Sequence, residues 1–251
     1  MAAPAPHAPP IAIIGGTALA DLAALEDASE IRGDNPYGAP SGPLLTGKLA
    51  GREVVFLMRH GPGHHLPPHK INYRANIRAL ADAGVKQVIA VAAVGGIGDE
   101  MASGRLVIPH QIIDYSWGRE HSFSDGDSEL QHVDFTDPYD RDLRTALIDT
   151  GSHLGLNPAQ TAVHAVTQGP RLETAAEVDR MARDGCDIIG MTGMPEAGLA
   201  REAGLAYACC AVVVNAAAGR GEGAIHAEIE KTIAQGMADI SQLLAAAVKS
   251  L

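Results

Sequence analysis

Polar side chains that follow short apolar runs are the best candidates for chemistry in this chain. Arg59 and His60 come directly after VVFLM, and Gly15-Gly16-Thr17 comes after the apolar Ile11–Ile14. Thr192 ends the run CDIIGMT, and Asn215 ends the longer, β-branched YACCAVVVN. Carboxyl ends of strands are where open α/β sheets bind ligands. A Gly-Gly-Thr turn that opens a helix also presents backbone N–H groups suited to phosphate. The rival reading of that turn, a dinucleotide loop, lacks the full G-x-G-x-x-G pattern.

The tripeptide Arg59-His60-Gly61 suggests a second chemistry, that of a histidine phosphatase, in which the histidine is phosphorylated. Against it, VVFLM is not the first strand of the chain, and GPGHHLPPHKINY follows it. His60, His64, His65 and His69 raise a metal site, but Pro62, Pro67 and Pro68 make the segment an irregular loop without regular ligand spacing. A polar active-site loop is the reading adopted, with no metal.

The elements that must carry these residues follow from the pattern. CDIIGMT and YACCAVVVN read as buried strands flanking a helix that starts at Pro195 and stops at Gly204. KLAGREVVFLM gives two strands around Gly51, NYRANIRALADA an amphipathic helix, and KQVIAVAAVGGI a third strand-to-glycine turn. RLVIPHQIIDY reads as one strand and TAVHAVTQGPRLET as another, with a helix near 141–154 between them. The polar stretch from Ser116 to Asp140 is too long for an idle loop. IHAEIEKTIAQGMADISQLLAAAVKSL is one long amphipathic helix with an interruption expected near Gly236. The expected fold is α/β: one domain over residues 11–251 with a mixed central sheet flanked by helices, after a flexible tail at 1–10.

Composition narrows the partners. A chain of 251 residues that is 46% hydrophobic can bury a large core. Its formal net charge of −11 opposes nucleic acid and anionic membranes. MAAPAPHAPP lacks the basic and apolar regions of a signal peptide, and Cys209 and Cys210 read as small buried hydrophobes. The expected location is the cytoplasm.

IIGGT, FLMRHG, PHKINYRANI, VGGI, TQGPRLETAAE, GMTGMPE and VVVNAAAG stand here in an order and spacing that resembles the trimeric purine nucleoside phosphorylases of the methylthioadenosine phosphorylase branch. Nearly the whole chain after residue 10 takes part. Through PHQIIDYSWGREHSF and GPRLETAAE it looks most similar to the 5′-methylthioinosine phosphorylases of that family.

The resemblance implies a homotrimer that cleaves a purine nucleoside with inorganic phosphate as co-substrate, without cofactor or metal. It places phosphate against Thr17, Arg59, His60, the Ala93 N–H and Thr192, and ribose against Met191. Asn215 then contacts N7 and the 6-substituent of the purine, and Glu173 contacts N1. Without the resemblance, Asn215 would be a strand-end cap and Glu173 a solvated residue in a first helical turn. His226 matches a histidine that faces the 5′-hydroxyl in inosine- and guanosine-cleaving members. His132 matches a residue that a neighbouring subunit lends to the 5′ pocket of the methylthio branch. The expected substrate is 5′-methylthioinosine, with inosine or guanosine as the alternative; a nucleoside hydrolase and a non-enzymatic nucleoside binder are the remaining rivals.

Overall fold

A computed structural model describes residues 8–16, 25–126, 130–222 and 225–251. Thr17 and residues 1–7 of the expected tail lie outside the described residues. The central strands β1 (Ile11–Gly15), β4 (Arg52–Met58), β5 (Gln87–Gly96) and β10 (Ala206–Ala216) are almost wholly apolar, as strands covered on both faces must be. The pairs β4–β1, β1–β5 and β5–β10 are all parallel. β2 (Glu26–Ile31) and β3 (Leu44–Leu49) extend one side antiparallel. β9 (Ile188–Gly190), β8 (Val163–Val166) and β7 (Gln111–Asp114) extend the other, and the short β6 (Leu106–Val107) pairs with β10.

Helices cover both faces, and the alternation of side chains along β1 shows how. Ala12 and Ile14 point into a core shared with α1 (Tyr73–Asp82) and α4 (Gly193–Glu202). Ile11 and Ile13 point into one shared with α2 (Arg141–His153) and α5 (Ile225–Ser250). α3 (Ala175–Arg183) packs Val178 and Met181 over the β8–β9 end, in a third cluster. The expected mixed sheet flanked by helices is therefore the observed one.

Four local expectations are corrected. RLVIPHQIIDY is two strands: β6 ends at Val107, β7 starts at Gln111, and Pro109, which has no N–H for a ladder, lies between them. The strand expected over TAVHAVTQGPRLET stops at Val166. Glu173 is not in a first helical turn; it precedes Thr174, the N-cap of α3, whose side chain accepts from the Glu177 N–H. α5 runs unbroken through Gly236, where an added Cβ would come within 2.4 Å of Val212 Cγ2. That glycine allows the helix to approach β10 closely and does not interrupt it.

Candidate active site

The sheet makes room for a site by dividing one edge of β5. β1 pairs with that edge as far as Ala90, and β9 takes it up again at Gly95. Between these points, among the described residues, β5 has no strand partner on that side. Ala92 is half-buried and Ala93 exposed there, in the middle of an otherwise buried strand. A cavity of about 570 Å³ fills the gap. Seven of the expected residues line it: Arg59, His60, Ala93, Glu173, Met191, Thr192 and Asn215. Side-chain and backbone alternation puts the Ala93 N–H on the same edge as the Val91 carbonyl, which accepts from Arg59 Nη1 at 2.9 Å.

Arg59 does not turn its whole fork toward the cavity. Its Nε and Nη2 donate to Glu196 Oε2 at 2.7 Å and Oε1 at 2.8 Å, so the fork grips a carboxylate of the protein itself. Tyr207 donates its hydroxyl to the same Glu196 Oε1 at 2.8 Å. Arg59 and Glu196 are 3% and 0% exposed, so the pair is buried as a unit. The Glu196 carboxylate raises the guanidinium pKa still further, against the opposing effect of burial. One N–H on each terminal nitrogen of Arg59 is left beyond these bonds.

His60 is held as a neutral acceptor. Its Nδ1 lies 2.8 Å from the Leu66 carbonyl, which can only accept, so Nδ1 carries the hydrogen and Nε2 keeps its lone pair. Burial, helped by the charge of Arg59, pushes the imidazole pKa down to about 4, and the ring stacks on His64 with centroids 4.3 Å apart. Among the described residues no group of three His, Cys, Asp or Glu side chains converges on a metal position.

Thr192 stands between β9 and α4, whose backbone kinks at Met194 before the helix proper, and its side chain makes no capping bond. The hydroxyl is thereby left for the cavity. Asn215 is aimed by a bulge in β10 between Val213 and Asn215. Its Nδ2 donates to the Ala216 carbonyl at 2.7 Å, which leaves one N–H and the Oδ1 of the amide. Glu173 accepts from Thr167 Oγ1 at 2.6 Å through Oε1, which leaves Oε2.

Two expected residues do not join the cavity of this chain. His226 is exposed on the first turn of α5, where Ile225, Ile229 and Ile233 are the residues turned toward the cavity. His132 is exposed in the 116–140 loop and is absent from the lining. Sequence reasoning also missed three residues. Thr167 orients Glu173 and Glu196 neutralises Arg59, while Arg119 crosses behind the site walls. Only Glu196 carried a usable signal, as an acid in the first turn of a helix that is otherwise apolar until Arg201.

The Phosphorylase superfamily profile matches residues 10–249. This chain belongs to the phosphorylase superfamily. A probable S-methyl-5′-thioinosine phosphorylase of Pseudomonas syringae pv. tomato is 51% identical over 236 residues, 93% of this chain and 96% of that protein. A 6-oxopurine nucleoside phosphorylase of Pyrococcus furiosus is 43% identical over 247 residues, 96% of this chain and 92% of that protein. Among solved structures, a methylthioadenosine phosphorylase from an antarctic soil metagenomic library has a TM-score of 0.90 at 36% identity, covering 97% of this chain and 86% of the other. Membership in the phosphorylase superfamily sets aside the histidine phosphatase reading of Arg59-His60-Gly61.

Proposed function

We propose that the protein cleaves 6-oxopurine nucleosides with inorganic phosphate, with 5′-methylthioinosine as preferred substrate, giving hypoxanthine and 5-methylthioribose 1-phosphate. One observation carries the reading: the cavity is divided chemically into an anion end, an amide-and-carboxylate end and an apolar end. Phosphate meets the remaining Arg59 N–H groups, the Ala93 N–H and the Thr192 hydroxyl, with Thr17 assigned to the same end. The neutral Nε2 of His60 accepts from the P–OH of the phosphate.

A phosphate oxygen attacks C1′ as the C1′–N9 bond breaks, and that electron pair moves into the purine. The phosphate loses its P–OH hydrogen and the base gains an N–H, so one proton passes from co-substrate to product. Positioning phosphate under C1′ and stabilising the departing base supply most of the acceleration. Asn215 donates its remaining N–H to O6 and accepts from N7 as that nitrogen is protonated, while Glu173 Oε2 accepts from N1–H. Met191 lies against the ribose.

The apolar end favours methylthio over hydroxyl. Ile225, Ile229 and Ile233 stand one turn apart on the cavity side of α5, and His226 is not among them. A 5′-hydroxyl buried there would have no partner on that wall, which costs about 1–3 kcal/mol. The same reading includes a homotrimer in which His132 reaches a neighbour's 5′ pocket, a cytoplasmic location, and no cofactor or metal. No helix among the described residues is long and apolar enough to cross a membrane. The test is base release from methylthioinosine, inosine, guanosine, adenosine and methylthioadenosine, with and without phosphate. Release that is phosphate-dependent and fastest with methylthioinosine is expected. Equal release without phosphate would point to a hydrolase.

A further inference from the structure

The long loop after β7 sends one side chain into the back of the site. Arg119 Nη1 donates to the Met191 carbonyl at 2.9 Å and to the Met194 carbonyl. Its Nη2 donates to the carbonyls of Thr167 at 3.1 Å and Gln168 at 2.9 Å, and its Nε to Gln168 Oε1 at 3.1 Å. The guanidinium carbon lies 5.4 Å from the centre of the Tyr73 ring, and Tyr73 donates its hydroxyl to the Pro68 carbonyl at 3.0 Å. Every oxygen in this set is neutral, so no carboxylate bond holds Arg119 in place. Backbone carbonyls of two segments, with the side-chain oxygen of Gln168, hold it.

Those segments carry the substrate-facing residues. Met191 carries one of the gripped carbonyls and Thr192 follows it, before the gripped Met194 carbonyl, and Thr167, whose carbonyl is gripped, holds Glu173 with its hydroxyl. The β8 end and the strand that leads into the 191–194 turn are joined by the β8–β9 ladder and by the Thr167 N–H and hydroxyl, which donate to the Gly190 carbonyl at 2.9 and 3.4 Å, all before the turn begins. Beyond Gly190, among the described residues, Arg119 is the side chain that hydrogen-bonds to both.

We propose that Arg119 is a positioning residue: its planar fork fixes the distance between the Glu173 wall and the Met191–Thr192 wall, and so holds purine and ribose in register with phosphate. A lysine cannot replace it, because one ammonium has no pair of spread donors to reach both segments. Displacement of a reacting group by about 1 Å costs on the order of 10²-fold in rate. Arg59, His60 and Ala93 hang on β4 and β5, outside the clamp, and of the described phosphate contacts Thr192 alone lies within it, so phosphate binding is weakened only several-fold.

This inference rests on the phosphorylase reading for its kinetic arm and on structure alone for its exchange arm. Arg119→Lys and Arg119→Ala are compared with wild type for melting temperature, nucleoside kcat/KM, phosphate binding without nucleoside, and amide hydrogen exchange. Expected for Arg119→Lys is a folded protein whose kcat/KM for methylthioinosine falls about 100-fold. Its phosphate affinity should change several-fold at most, with faster exchange confined to residues 167–169 and 191–194. Guanidinium ion added to Arg119→Ala should restore activity, and methylammonium should not. Unchanged exchange, near-wild-type turnover in Arg119→Lys, or failure of both variants to fold would overturn the clamp. Wild type that releases no base with phosphate would overturn the functional reading while the exchange result still judges the clamp.

Discussion

Replacing Arg59 tests two roles at once, and the buried pair with Glu196 makes them separable. Arg59→Ala would leave Glu196, at 0% exposure, with the Tyr207 hydroxyl as its remaining side-chain donor. Breaking a buried pair from one side costs about 3–5 kcal/mol. In a domain of this size each kcal/mol moves the melting temperature by roughly 2–4 °C, so a fall of about 6–20 °C is expected. Replacing both members with apolar residues of similar volume, Arg59→Met with Glu196→Leu, removes the stranded charge. Two polar groups are then left without partners, the Tyr207 hydroxyl and the Val91 carbonyl, at about 1–3 kcal/mol each. The double variant should therefore recover part of the lost stability and none of the lost phosphate binding. The assay is thermal unfolding of wild type, both single variants and the double, alongside the phosphate KM. If Arg59→Ala melts within 2 °C of wild type, Glu196 does not depend on Arg59. If the double variant keeps the wild-type phosphate KM, Arg59 is structural and the anion end is wrongly assigned.

Asn215→Asp should reduce hypoxanthine-nucleoside turnover and raise adenine-nucleoside turnover, because a carboxylate cannot donate to O6 but can accept from a 6-amino group; unchanged selectivity would remove Asn215 from the base contact. Ile229→Ser should narrow the preference for methylthioinosine over inosine by about tenfold, read as the ratio of kcat/KM values. The imidazoles of His60 and His164 are both pushed down to about 4, chiefly by burial, so between pH 6.5 and 4 the unfolded chain binds more protons. Stability should be complete above pH 6.5 and decline toward pH 4, and His60→Gln should flatten that slope in melting curves taken across the range. Light scattering should give a trimer, and His132→Ala should raise the methylthioinosine KM with little change in phosphate binding.

The sequence made the buried strands legible because their residues are long apolar runs with abrupt polar ends. That also located most of the cavity lining, since Arg59, Thr192 and Asn215 are all first polar residues after such runs. β2 was missed because EDASEI is an exposed edge strand with no apolar face to betray it. The Arg59–Glu196 pair could not be read at all: the two residues are 137 positions apart, and neither carries a local signal of the other. Arg119 sits in a loop without periodicity, and apart from the Gln168 side chain and the Tyr73 side chain its partners are backbone carbonyls, which have no identity in a sequence.

The division of one β5 edge explains why the site needs so few charged groups. An interior strand normally gives its N–H and carbonyl groups to two neighbours. Here the stretch between Ala90 and Gly95 gives one edge to the cavity instead. Arg59 takes the Val91 carbonyl, and the Ala93 N–H opens on the same side, behind a methyl too small to cover it. Because Glu196 already offsets the guanidinium and His60 is neutral, the anion end holds little net charge and relies on fixed donors. Such donors are set by the sheet before any anion arrives, so they need no reorganisation as the glycosidic bond breaks. A phosphate that is oriented more than it is neutralised keeps its electron density on the attacking oxygen, which is what a poor nucleophile needs against C1′.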